Sequence, residues 1–86
     1  MASKPRILFV DDEPNILESL RRMLRGRLAA WDMIFLDRPA DALVAQRQQP
    51  FDVAVVDMRM PEMNGFELIA GLRSASATTV AIMLTG

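Results

Sequence analysis

The chain has 86 residues, 51% hydrophobic and 24% charged, with ten basic and eleven acidic side chains and a net charge of −1. That length holds at most one small domain, burying only about 60% of the surface its unfolded chain exposes, and the composition excludes a disordered segment. The charge balance gives no electrostatic reason to expect direct contact with nucleic acid or an anionic membrane.

Arg6 to Val10 is a short apolar run, too short for a helix, and reads as a buried strand ending on Asp11 and Asp12. Helix follows at once. Pro14 suits a first helical position, and Ile16, Leu17, Leu20, Met23 and Leu24 recur at helical spacing. The other face carries Glu18, Arg21, Arg22 and Arg25 and reads as solvated, with Gly26 expected to end the helix. Trp31 to Leu36 reads as a second strand, with Trp31 as an anchor beside it. Asp37 and Pro39 open a second helix that runs to about Gln48 before Pro50 stops it.

Phe51 to Val56 is the most strand-like segment. It is apolar throughout after Asp52, as a central parallel strand covered on both faces should be, and it ends on Asp57. Met58 to Gly65 holds Pro61, Asn64 and Gly65 and reads as a loop. Phe66, Leu68, Ile69 and Leu72 mark a third helix, and Thr79 to Leu84 a fourth strand that ends on Thr85 and Gly86. The seven methionines read as core filler and loop packing.

Alternating strands and helices at this spacing predict an α/β fold, a doubly wound parallel sheet with helices on both faces. Ligands of such sheets sit beyond the carboxyl ends of the strands, which is where Asp11, Asp12, Asp57 and Thr85 all fall. Carboxylates brought together repel unless a proton or cation separates them, and a hard oxygen cage with few protein ligands suits Mg²⁺. Asp57 is then either a ligand only or a nucleophile that accepts a phosphoryl group. Each aspartate alone has an ordinary explanation in helix capping or turn formation. Three strand ends that agree favour a functional site.

Several chemistries are excluded by absence. There is no cysteine and so no disulfide, and no histidine or tyrosine, which removes histidine-based catalysis and the common zinc sites. No apolar run approaches the ~20 residues of a membrane helix, and the first residues lack a signal peptide's apolar stretch, so the expected location is the cytoplasm.

Ile7-Leu8-Phe9-Val10-Asp11-Asp12-Glu13-Pro14, the stretch from Asp52 through Asp57-Met58-Arg59-Met60-Pro61-Glu62-Met63-Asn64-Gly65, and Met83-Leu84-Thr85-Gly86 together resemble the receiver domain of two-component response regulators. The resemblance covers nearly the whole chain. It implies a flavodoxin-like fold of strand order 2-1-3-4-5, with Asp57 as the phosphoacceptor. The phosphoryl group would come from the phosphohistidine of a sensor histidine kinase, from a phosphotransfer protein or from a small phosphodonor. It further implies that Asp12 binds Mg²⁺ directly, Asp11 mainly through water, and the main-chain carbonyl of Arg59 completes the protein ligands. Thr85 would be the switch hydroxyl, the Arg59 side chain would tune how long the phosphate lasts, and Asn15, Ser19 and Arg22 would belong to the kinase docking face.

The family's fifth strand, its terminal lysine, its aromatic switch residue and its last two helices have no counterpart in the sequence. Residues 1–86 are therefore expected to form a single partial receiver domain, lacking the last strand and last two helices and impaired in switching. Lys4 precedes the first strand and belongs at the opposite end of the sheet. An uncovered fourth strand is expected to drive homodimerisation through its edge. Two other readings are a phosphorylation-independent interaction module and a phosphohydrolase of the haloacid dehalogenase type. The latter needs a second aspartate two residues after the first, where this chain has Arg59.

Overall fold

The computed structural model describes residues 4–84. The strands are Arg6–Val10 (β1), Asp32–Leu36 (β2), Val53–Asp57 (β3) and Val80–Leu84 (β4). They alternate with the helices Pro14–Met23 (α1), Pro39–Gln48 (α2) and Gly65–Ala75 (α3). All strands run parallel, in the order β2-β1-β3-β4. This is the predicted doubly wound sheet.

The two faces of the sheet are closed to different degrees. On one, Leu8, Val10, Ala54 and Val56 pack against Ala42 of α2 and Leu68 and Leu72 of α3, and all of these are buried. On the other, α1 presses Leu17 onto Ile7 and Phe9, with Leu20, Leu24, Met33, Phe35 and Val55 only half-buried around them. The expectation that β3 is covered on both faces therefore fails for Val53 and Val55. Their β4 neighbours Val80 and Ile82 are more open still, at 58% and 47% exposure. Both faces are apolar, which hides this difference, because it depends on where α1 sits.

Polar locks fix the amino ends of the strands. The Arg6 guanidinium reaches Asp32 at 2.9 Å and the Gln49 carbonyl at 3.3 Å, and it lies 4.6 Å from the centre of the Phe51 ring. The Arg6 amide donates to the Asp52 carboxylate at 2.7 Å. One side chain thus ties β1 to β2 and to the turn that enters β3. On the far side of the sheet the buried Gln46 amide donates to the Leu72 carbonyl and the Thr79 hydroxyl, and accepts from the Phe51 amide at 2.8 Å. Thr79 in turn donates to the Phe51 carbonyl at 2.7 Å. Every polar group of this buried cluster has a partner, which is the condition for burying it without loss.

Element ends differ from the sequence reading in several places: Trp31 precedes β2, which starts at Asp32, and Gly65 opens α3 instead of closing the loop. Gly26 does not cap α1: the helix ends at Met23, and Gly26 lies in a 3-10 turn over Arg25–Arg27 with no positive φ among the described glycines. Asp37 leaves α2 to start after Arg38, which makes no side-chain cap. Phe51 and Thr79 precede their strands and are buried as lock residues. Arg21 is not simply solvated, since its guanidinium lies 4.7 Å from the centre of the Phe35 ring.

Replacing Gln46 by leucine keeps the volume but leaves the buried Phe51 amide without its acceptor, at a cost of about 1–3 kcal/mol. The expected result is a lower urea midpoint with an unchanged m-value. An unchanged midpoint would show that the lock contributes nothing.

Candidate functional site

Parallel pairing of Val10 with Val56 brings the next residues, Asp11 and Asp57, out of the sheet side by side. The ladder runs on past both strands: the Asp11 amide donates to the Leu36 carbonyl and the Met58 amide to the Leu84 carbonyl, each at 3.2 Å. These bonds hold the two turns against the sheet edge. As a result one carboxylate oxygen each from Asp11, Asp12 and Asp57 lies within 4.8 Å of the others. The three line a cavity of about 440 Å³ together with Glu13, Ile16, Arg59 and Leu84.

The ordinary role of a strand-end aspartate is present as well. Asp11 accepts the Glu13 amide at 2.9 Å and Asp57 accepts the Arg59 amide at 3.3 Å, each closing a short turn on itself. Neither caps a helix; Glu13 holds the cap position of α1 and makes no side-chain cap. Turn formation occupies one oxygen of each aspartate and fixes its direction, leaving the other free. The functional and turn readings therefore describe the same side chains.

Asp11 is buried, at 7% exposure. That burial pushes its carboxyl above the ordinary range, the Glu13 amide opposes the shift, and the charges of Asp57, Asp12 and Glu13 add to it. A group held this way favours a proton or a cation beside it.

Sequence reasoning passed over several residues that shape the site. A Cβ on Gly65 would stand 2.9 Å from the Asp57 carbonyl oxygen and 3.0 Å from the Met58 Cα, so only glycine lets α3 start this close to the turn carrying Asp57. Its amide donates to the Met58 carbonyl at 3.0 Å. Asn64 and Glu67 form a reciprocal capping box before α3, visible in the sequence as an asparagine followed three residues later by glutamate. Ile16 and Leu84 give the cavity an apolar wall. Arg59 lines it as expected, whereas Lys4 donates to the Leu28 carbonyl at the opposite end of the sheet. Thr85 lies outside the described residues, directly after Leu84.

This arrangement coincides with the family profile of the response regulator receiver domain, which matches residues 7–86. The chain belongs to that family. Among curated relatives, the transcriptional regulatory protein KdpE of Mycobacterium tuberculosis is 35% identical over 77 residues, covering 90% of this chain and 33% of that protein. The receiver fold recurs in the signal receiver domain of an HD domain-containing protein from Pseudomonas fluorescens, with a TM-score of 0.90 at 27% identity. That match covers 100% of this chain and 62% of the other. An adenylate cyclase structure from Rhodopirellula baltica matches with a TM-score of 0.86 at 38% identity, covering 98% of this chain and 61% of that one. The chain thus spans about a third of the length of the curated relatives it first matches. Membership in the receiver family displaces the dehalogenase-type reading, in keeping with Arg59 two residues after Asp57. No helix among the described residues is long and apolar enough to cross a membrane.

The receiver's acidic cluster makes the metal-free protein sensitive to pH. With its carboxyl raised, Asp11 in the folded state keeps a proton that the unfolded chain has already released, so stability falls as pH rises from the ordinary carboxylate range through the raised value. Asp11→Asn keeps the turn acceptor and removes the charge. We expect it to stabilise the metal-free protein at neutral pH by on the order of 1 kcal/mol and to flatten that pH dependence, read by thermal unfolding in chelator across pH 3–8. A destabilised variant with an unchanged pH profile would show that Asp11 does not carry the repulsion.

Proposed function

We propose that this receiver accepts a phosphoryl group on Asp57 with Mg²⁺ held beside it. The observation that carries the reading is the convergence of three carboxylates from two adjacent strand ends, within 4.8 Å at the mouth of one cavity. Burial and like charge leave Asp11 short of a positive neighbour, which fits a divalent cation with oxygen ligands. Asp11, Asp12 and Asp57 would hold the ion, with the main-chain carbonyl of Arg59 as the further protein ligand. Bound there, Mg²⁺ supplies charge neutralisation for the transferring phosphoryl oxygens.

The free carboxylate oxygen of Asp57 attacks phosphorus, the bond from phosphorus to the donor breaks, and the donor atom leaves with the electron pair. With phosphohistidine as donor the leaving imidazole then takes up a proton. The Asp57 backbone is braced for this by its pairing with Leu84 in β4 and by the close approach of Gly65. Thr85 follows Leu84 in the chain and is assigned the hydroxyl that contacts the phosphoryl oxygens. Arg59 at the cavity wall adds a cation to a site otherwise lined by acids and apolar groups. The donor protein is a sensor histidine kinase or a phosphotransfer protein, docking over Asn15, Ser19 and Arg22, which are all exposed on α1. The assigned compartment is the cytoplasm.

Acetyl phosphate with Mg²⁺ is expected to add one phosphoryl group to the chain, seen by intact mass, and chelator or Asp57→Asn should bring labelling to background. Labelling that survives Asp57→Asn would move the acceptor elsewhere and sink the assignment.

A second reading concerns assembly. Val80, Ile82 and Leu84 stand exposed on β4, whose outer side carries no strand among the described residues. This supports homodimerisation of the 86-residue chain through that strip. Light scattering at tens of micromolar is expected to give a dimer mass that Ile82→Lys returns to monomer. A monomer before the substitution would refute the dimer.

A further inference from the structure

Three cavities run together along the outer side of β2, under the flank of α1. One of about 320 Å³ begins at Pro14 and Asp37, and it shares Glu18, Arg21 and Phe35 with a second of about 280 Å³. The second shares Leu28 and Met33 with a third of about 470 Å³ beside Trp31 and Lys4. Together they form one groove along the β2 edge of the sheet, and its Pro14 end lies two residues past Asp12 in the chain.

The floor of the groove is Trp31, Met33 and Phe35, half-buried residues two apart along the chain and therefore on one face of the sheet. Its rim is cationic. Arg21, Arg22 and Arg25 are exposed, and the residues lining the three cavities include five cations against three anions in a chain whose net charge is −1. Asp32 and Arg6 match each other at 2.9 Å, which leaves four cations against two anions. Arg22 is held only by a 3.9 Å pair with Glu18 in which both side chains are more than half exposed, so its charge is available. Along the outer edge, β2 has no neighbouring strand among the described residues.

We propose that this groove is a docking site for an extended acidic segment of a partner protein, which adds beside β2 and turns its carboxylates toward Arg22 and Arg25. An extended chain repeats every two residues, as the Trp31-Met33-Phe35 floor does, and its backbone supplies both donors and acceptors to an open strand edge. Nucleic acid would match the charge but has no such backbone ladder. A second copy of this groove would bring arginine to arginine, so the rim selects against self-pairing here. The proposal does not depend on phosphate chemistry at Asp57.

The probe is a blocked, fluorescein-labelled peptide of alternating glutamate and valine, about seven residues long so as to match the span of the groove at ~3.3 Å per residue. Binding to the 86-residue chain is read by anisotropy at low ionic strength, and its place by amide chemical shifts. The glutamate peptide should bind at least about tenfold more tightly than its lysine counterpart and shift the amides of Met33 and Phe35. The double variant Arg22→Glu, Arg25→Glu should weaken it by about tenfold or more. Both positions are exposed, so far-UV circular dichroism should be unchanged, and Arg25→Gln provides a milder variant with an intermediate loss. Equal binding of the lysine peptide, indifference to charge reversal, shifts confined to β4, or displacement by a single-stranded oligonucleotide of equal charge would each overturn the proposal.

Discussion

Parallel pairing of β1 with β3 is the constraint on which the rest of the molecule depends. Val10 opposite Val56 sets Asp11 and Asp57 at the same height on the sheet edge, although they are far apart in the chain. A slip of one residue would move one carboxylate up the edge and turn the apolar set of that strand to the wrong face. The core resists such a slip because Leu8, Val10, Ala54 and Val56 are all buried against the same two helices. The site therefore inherits its geometry from packing that contains no charged group.

The two ends of the sheet carry opposite electrostatic arrangements. At the amino ends, Arg6 bonds to Asp32 and to Gln49, and Gln46, Thr79 and Phe51 satisfy one another. At the carboxyl ends, three carboxylates stand close together and the buried one is held above its ordinary pKa. In the first arrangement opposite charges and polar groups meet, with only the buried Arg6 Nε left without a partner among the described residues; in the second like charges meet. Repulsion at the site is tolerable because the strands are fixed from the other end and by the core between, so the aspartates cannot relax by sliding apart. That is how a sheet edge holds like charges side by side.

Much of this was legible in the sequence, for a physical reason. Apolar runs that stop on aspartate, alternating with helices, force their ends to one edge, so Asp11, Asp12 and Asp57 could be placed together before any contact was known. Gln46 could not be read, because a glutamine in a helix reads as solvated and its partners Leu72 and Thr79 lie on elements paired only by the fold. Gly26 misled in the other direction, since glycine after a helix suggests a left-handed cap and here sits in an ordinary 3-10 turn. Gly65 had a visible position but no visible reason. Its need for glycine comes from the Asp57 carbonyl that α3 approaches.

The unequal closure of the two faces follows from dimensions. A helix is about 10 Å across and neighbouring strands lie about 4.8 Å apart, so one helix covers roughly two strands of a four-stranded sheet. Two helices close the face holding Leu8 and Val56, whereas α1 alone on the other face leaves a strip at each side. What α1 presents to each strip decides its character. Toward β2 it turns Arg21 and Arg22, the 3-10 turn after it adds Arg25, and Arg21 covers Phe35, so that strip combines an apolar floor with a cationic rim. Toward β4 the neighbours are Ile16, Ile82 and Leu84, all exposed and all uncharged. A partner at the β2 strip must therefore bring negative charge to match the rim, whereas at the β4 strip burying apolar area is sufficient. One amphipathic helix thus gives the two sides of this receiver different rules of recognition, with the acidic site at the end of the sheet between them.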